Sequence, residues 1–143
     1  MLTMTDTFLL PALNNLLKLG AAPNDGILNG ALVGLYTNAP FIWTPKAKLA
    51  DLTEATYTGY ARQAAAFLTP WINPVNQAEV AGDTLLFQPS GVLVTPETIV
   101  GYFIVDGTGL ILLGGDNLPA PVPLSIPTDA VVIVPDFTIG DQT

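Results

Sequence analysis

The chain contains no cysteine and no histidine. The first absence excludes a disulfide framework and any thiolate-held metal. The second removes the side chain that serves most often as general base, metal ligand and charge switch near neutral pH. Charge is scarce as well. Charged side chains make up 11% of the 143 residues, against about 25% in an ordinary soluble domain. Positive charge is scarcest: only Lys18, Lys46, Lys48 and Arg62 offset twelve acids, leaving a net charge of −8. That field repels phosphate backbones and anionic bilayers, and no basic stripe with interleaved aromatics offsets it. Neither nucleic acid nor membrane is expected as a partner. No run reaches the ~18 apolar residues of a bilayer span. Residues 1–20 carry no basic leader, their first charge is Asp6, and Pro11 and Asn14-Asn15 interrupt any signal-like core. The expectation is a chain made in the cytoplasm.

Apolar residues account for 50% of the sequence, enough for a real core in one domain of this length. With so few charges, the surface must be covered by uncharged polar residues or by another protein. The second alternative is the expectation: a chain that packs against copies of itself or a larger assembly.

The pattern predicts a mainly β fold, an antiparallel β-sandwich or small barrel, preceded by an N-terminal amphipathic helix. Residues 1–20 form the helix or arm, and residues 21–143 a single β-rich domain. The helix falls over 7–19, where Leu9, Leu10, Leu13, Leu16 and Leu17 recur at spacings of three and four. Asp6 or Thr7 can cap it and Gly20 can end it. Strands are expected at 31–37, 84–88, 98–105, 110–113, 122–126 and 130–134, with 137–139 extending the last, and a short helical turn at 49–55. Residues 98–105 and 110–113 read as a hairpin turning on Asp106-Gly107-Thr108-Gly109. Alternation places Ile99, Phe103 and Val105 on one face of that hairpin and Val100, Tyr102 and Ile104 on the other. Both faces being apolar, both must be covered, by a second sheet and by either the helix or a neighbouring chain. The prolines from Pro89 to Pro135 stiffen connections and blunt sheet edges.

Chemistry has few places to sit. Ser90 and Ser125 lie in no Gly-x-Ser-x-Gly turn and have no histidine to activate them. Carboxylate pairs such as Asp51 with Glu54, or Asp106 with Asp116, are better explained by helix starts and turns. Asn24-Asp25-Gly26 and Gly114-Gly115-Asp116-Asn117 lack the alternating acids of a calcium loop. The chain is therefore read as a non-enzyme, with no catalytic residues, no metal and no cofactor. Its interface candidates are Leu9, Leu13, Leu16, Leu17, Val100, Tyr102 and Ile104. Trp43 and Trp71 are possible ligand-binding aromatics, although rings in such a region more often plug the ends of a core.

Two stretches carry a likeness. Residues 49–63, LADLTEATYTGYARQ, hold a Leu-x-Asp-Leu-Thr-Glu-Ala turn and a Gly-Tyr-Ala step. Residues 98–124, TIVGYFIVDGTGLILLGGDNLPAPVPL, hold an Ile-x-Gly-Tyr strand and a Pro-x-Pro-Val edge. Both resemble a group of small proteins encoded by tailed bacteriophages and prophages near their structural genes. The resemblance implies a virion structural protein, most simply a capsid decoration or cement subunit, located in the virion after synthesis in the host cytoplasm. Its partners would be itself, as a homo-oligomer, and virion proteins such as the major capsid protein. A neck, tail or fibre subunit, or a carbohydrate-binding host-attachment module, is the alternative.

Overall fold

The computed structural model describes residues 30–44, 46–67, 71, 72, 74 and 77–140. The predicted N-terminal helix and its leucines lie outside the described residues. What is described is mainly β, built from antiparallel ladders: β1 (Leu32–Tyr36), β2 (Gln63–Ala64), β3 (Trp71–Ile72), β4 (Gln77–Ala81), β5 (Leu85–Phe87), β6 (Glu97–Val105), β7 (Leu112–Leu124), β8 (Val131–Ile133) and β9 (Asp136–Gly140). One 3-10 turn, Leu49–Asp51, interrupts the first long connection. It is held by the Asp51 carboxylate, which accepts from Lys48 N at 2.9 Å.

The larger sheet runs β2-β1-β6-β7. Two further ladders, β3-β4-β9 and β5-β8, follow shared strand paths. The β4–β9 pairing ends at Ala81↔Asp136 and the β5–β8 pairing starts at Leu85↔Ile133, one residue out of step. Gly82 N donates to Pro135 O across the slip at 2.7 Å. The chain also turns a corner between sheets. Gln63 and Ala64 pair with β1, while Phe67 bridges Gly82 and Trp71 pairs with Glu79.

Both faces of β1 and β6 are apolar, and both are covered. Val33, Leu35, Ile99 and Ile104 pack with Val80, Leu85, Phe87, Leu124, Val131 and Ile133. On the opposite face Tyr36, Val100, Phe103 and Val105 pack under Phe41, Trp43, Leu49 and Leu52. The second cover is thus the chain's own 37–52 connection, where a helix or a neighbouring subunit was expected. Glycines let its rings approach closely. A Cβ on Gly34 would collide with the Phe103 ring, and one on Gly115 with the Trp43 indole. Asn117 clasps this layer: its Oδ1 accepts from the Tyr36 hydroxyl at 2.6 Å and from Phe41 N at 2.9 Å, and its Nδ2 donates to Phe41 O at 2.8 Å.

Two expectations about the hairpin need correction. Residues 110–113 and 122–126 are not separate strands: β7 is continuous over Leu112–Leu124, prolines included, and Leu110 and Ile111 belong to the turn. The strict alternation also fails. Ile99 pairs with Val122 but Gly101 with Asn117, so Val100 alone stands opposite residues 118–121. This irregularity swaps the facing of β6. Val100 packs with Phe103 and Val105, while Ile99 packs with Ile104 beside Tyr102.

Candidate functional site

The carboxylates weighed for catalysis are each occupied locally. Glu54 receives Arg62 Nε at 2.8 Å and Nη2 at 2.6 Å, and the Tyr60 hydroxyl at 2.7 Å. Burial alone would raise its pKa, but those donors and the guanidinium charge outweigh it and hold the carboxyl below its ordinary range. The network continues outward. Leu35 N donates to the Tyr60 hydroxyl at 3.0 Å, and Arg62 Nη1 to Gly109 O at 2.7 Å. The guanidinium lies 5.2 Å above the Phe103 ring. Burial, chiefly, drives the Tyr60 phenol far above its usual value, so it stays a neutral donor. Asp106 staples the hairpin turn by accepting from Ile111 N, Leu110 N and the Thr108 hydroxyl. Those bonds, led by that from Ile111, lower its pKa. Asp116 receives Asn117 N at 2.8 Å, and Asp129 receives Ser125 N at 2.7 Å. Among the described residues no three His, Cys, Asp or Glu side chains are placed to hold a metal ion. No helix among them is long and apolar enough to cross a membrane.

The sequence-derived interface residues are scattered. Leu9, Leu13, Leu16 and Leu17 lie outside the described residues. Val100 and Ile104 are buried in the chain's own core, so neither offers contact surface on the folded monomer, and Tyr102 is partly buried. Burial raises the Tyr102 phenol to about 12, helped by Asp136 and Asp116. The two tryptophans separate. Trp43 belongs to the aromatic layer, 5.0 Å from Phe41 and 6.1 Å from Tyr36 in edge-to-face contact. Its indole nitrogen is buried without a hydrogen bond, although its nearness to the Tyr36 hydroxyl tempers the rise that burial gives that phenol. Trp71 is exposed on β3.

The exposed apolar surface lies elsewhere. The inner side chains of the β5–β8 ribbon (Leu85, Phe87, Val131, Ile133) are buried, yet its outer face is apolar too. Leu86 and Val132 stand directly opposite each other, with Val134 next in the row, and they are 51%, 58% and 52% exposed. Leu110 and Ile111 project from the stapled hairpin turn, and Val92 and Val94 from the connection before β6. Near these valines opens a cleft of about 500 Å³, walled by Thr37, 53–54, 56–58 and 92–97. Sequence reading missed this surface because Leu86 and Val132 sit inside short apolar runs whose two faces look alike until the partner sheet is known.

No family model, curated protein or solved structure matches the chain.

Proposed function

We propose that the chain is a non-enzymatic structural subunit of a tailed-bacteriophage or prophage virion, decorating or cementing a capsid. It would act by burying apolar surface against its own copies and against virion proteins such as the major capsid protein. The scaffold we infer is a rolled antiparallel sandwich, since the segment 63–72 pairs with β1 at one end and with β4 at the other, carrying one sheet round into the next. The likeness of residues 49–63 and 98–124 to phage-encoded proteins supports the virion setting.

The observation that carries the reading is the outer face of the β5–β8 ribbon. A two-stranded ribbon with one face packed on a core normally alternates apolar-in with polar-out. Here Leu86, Val132 and Val134 take outward positions and are each about half exposed. An apolar row on a chain so poor in charge fits a surface that another protein covers.

The test is cosedimentation of the purified chain with particles of the phage that encodes it, comparing parent with Val132→Asp. The variant should stay folded, with thermal stability within about 0.5 kcal/mol of the parent, and should lose particle binding. A parent that sediments as a monomer and ignores the particle would overturn the proposal. So would a Val132→Asp chain that binds like the parent.

A further inference from the structure

One wall of the cleft is backbone. Thr37 N donates to Thr53 O and Ala55 N to Leu35 O, both at 2.9 Å. This fixes Tyr36 and Glu54 as an antiparallel pair that share no hydrogen bond with each other. In such a pair the amide and carbonyl of Glu54 turn away from β1. Two residues on, those of Thr56 turn the same way, and Thr56 N indeed donates away from β1 to Glu97 Oε1 at 2.8 Å. The amide and carbonyl of Glu54 and the carbonyl of Thr56 therefore face the cleft, and they meet no partner among the described residues. They make a short unpaired strand edge inside a concavity.

The other wall supplies side chains of two kinds. Val92 and Val94 are exposed. Glu97 is bonded to Thr56 N and, at 3.5 Å, to the Thr56 hydroxyl. Glu54 is matched by Arg62, but Glu97 meets no cation among the described residues. The cleft thus combines free strand donors and acceptors, an apolar side and one unneutralised carboxylate. Its volume of about 500 Å³ falls in the range of small-ligand sites and suits a few residues of chain.

We propose that this cleft takes an extended segment of a partner protein bearing a Lys or Arg, by strand addition to the Glu54–Thr56 edge. The residue opposite Glu54 gives its N–H to the Glu54 carbonyl and takes the Glu54 N–H on its own carbonyl. An adjacent basic side chain reaches Glu97, and apolar neighbours lie along Val92 and Val94. The net charge of −8 disfavours another copy as the donor and favours a segment of opposite charge. The inference does not depend on the partner being a virion protein.

The test titrates the full isotope-labelled chain with the peptide acetyl-Val-Thr-Lys-Val-Thr-amide to about 2 mM, in the weak-binding range. The amides of Glu54, Val92 and Val94 should shift, and that of Glu54 should gain protection from hydrogen exchange. N-methylation of the peptide at the Val that follows Lys, the residue set opposite Glu54, or Glu in place of Lys, should weaken binding about tenfold, the effect of one lost hydrogen bond or charge contact. Glu97→Gln, which keeps an acceptor for Thr56 N, should bind the Lys peptide less tightly while leaving the rest of the spectrum in place. No shift at the cleft amides overturns the site. Equal binding of the N-methylated peptide overturns strand addition, and equal binding of the Glu peptide or by Glu97→Gln overturns the choice of a basic partner.

Discussion

Replacing Arg62 by Met keeps the aliphatic stem and removes the guanidinium. The parent makes a two-pronged contact with Glu54 at 2.6 and 2.8 Å and a third bond to Gly109 O at 2.7 Å. A hydrogen bond to a charged group contributes roughly 1.5–3 kcal/mol, but three on one guanidinium do not add. The two side chains are 22% and 31% exposed, so solvent screening trims the attraction. Against that, the variant strands a carboxylate that burial alone already disfavours. Losing the guanidinium over Phe103 removes about 0.5–1 kcal/mol more. The expected destabilisation at pH 7 is about 2–4 kcal/mol, a large part of the ~5–15 kcal/mol of a typical domain. Urea unfolding followed by tryptophan fluorescence reads it as a lower midpoint at unchanged slope. The pH dependence supplies a second reading. Because the folded-state pKa of Glu54 is held below the ordinary 4.5, its contribution is fully present above that pH and is lost as pH falls through the folded value. The gap between parent and Arg62→Met should therefore narrow in acid. A loss under about 0.5 kcal/mol at pH 7, or a gap unchanged at pH 3, would refute the reasoning by showing an ordinary surface pair.

Phe103 is fully buried over Gly34, so Phe103→Ala should cost about 3–5 kcal/mol by calorimetry. Val100→Asp should also fail to fold, because its side chain lies in the same buried layer; a folded variant by circular dichroism would contradict that packing. Gly109 has φ +76°, so Gly109→Ala should cost about 1–2 kcal/mol in thermal melts, and a neutral result would contradict the turn geometry. Asp136 is raised by partial burial and by Glu79 and Asp116, so its ionisation opposes folding above its folded pKa and ceases to as pH falls. Asp136 sits at an exposed position, so solvent screening limits the effect, and Asp136→Asn should stabilise at pH 7 by at most about 1 kcal/mol and not at pH 3.

Much of the β content was legible because local signals suffice for it. β1, β5 and β8 stand as apolar runs between glycine, proline or aspartate, and the turn at Leu49–Asp51 carries its own acidic cap. The facing of β6 was not legible, since the irregularity at Val100 is imposed by the longer path of residues 118–121 on the partner strand. Nor was the continuity of β7. Pro119, Pro121 and Pro123 argue against a central strand, but β7 lies at the end of its sheet, where missing N–H groups on the outer side cost no ladder bond. The Arg62–Glu54–Tyr60 network joins residues close in sequence, but nothing in their spacing shows that Gly109 and Leu35 complete it. Val100 and Ile104, expected at an interface, are buried in the chain's own core, because two apolar faces reveal the need for cover, not what provides it.

The Asn117 clasp has a consequence for folding kinetics. Through one amide it joins residues 76 and 81 positions apart in the chain, whereas the β6–β7 hairpin closes over the short turn stapled by Asp106. Closing the long loop loses more chain entropy than closing the short one, so the hairpin is expected to form early and the 37–52 layer to dock after the main barrier. An interaction made after the barrier slows escape from the native state without speeding arrival. Asn117→Ala should then unfold faster at nearly unchanged refolding rate in stopped-flow measurements. A slower refolding limb instead would place the clasp inside the folding nucleus. On this order of events, the small polar clasp governs how long the chain stays folded once it has reached the native state.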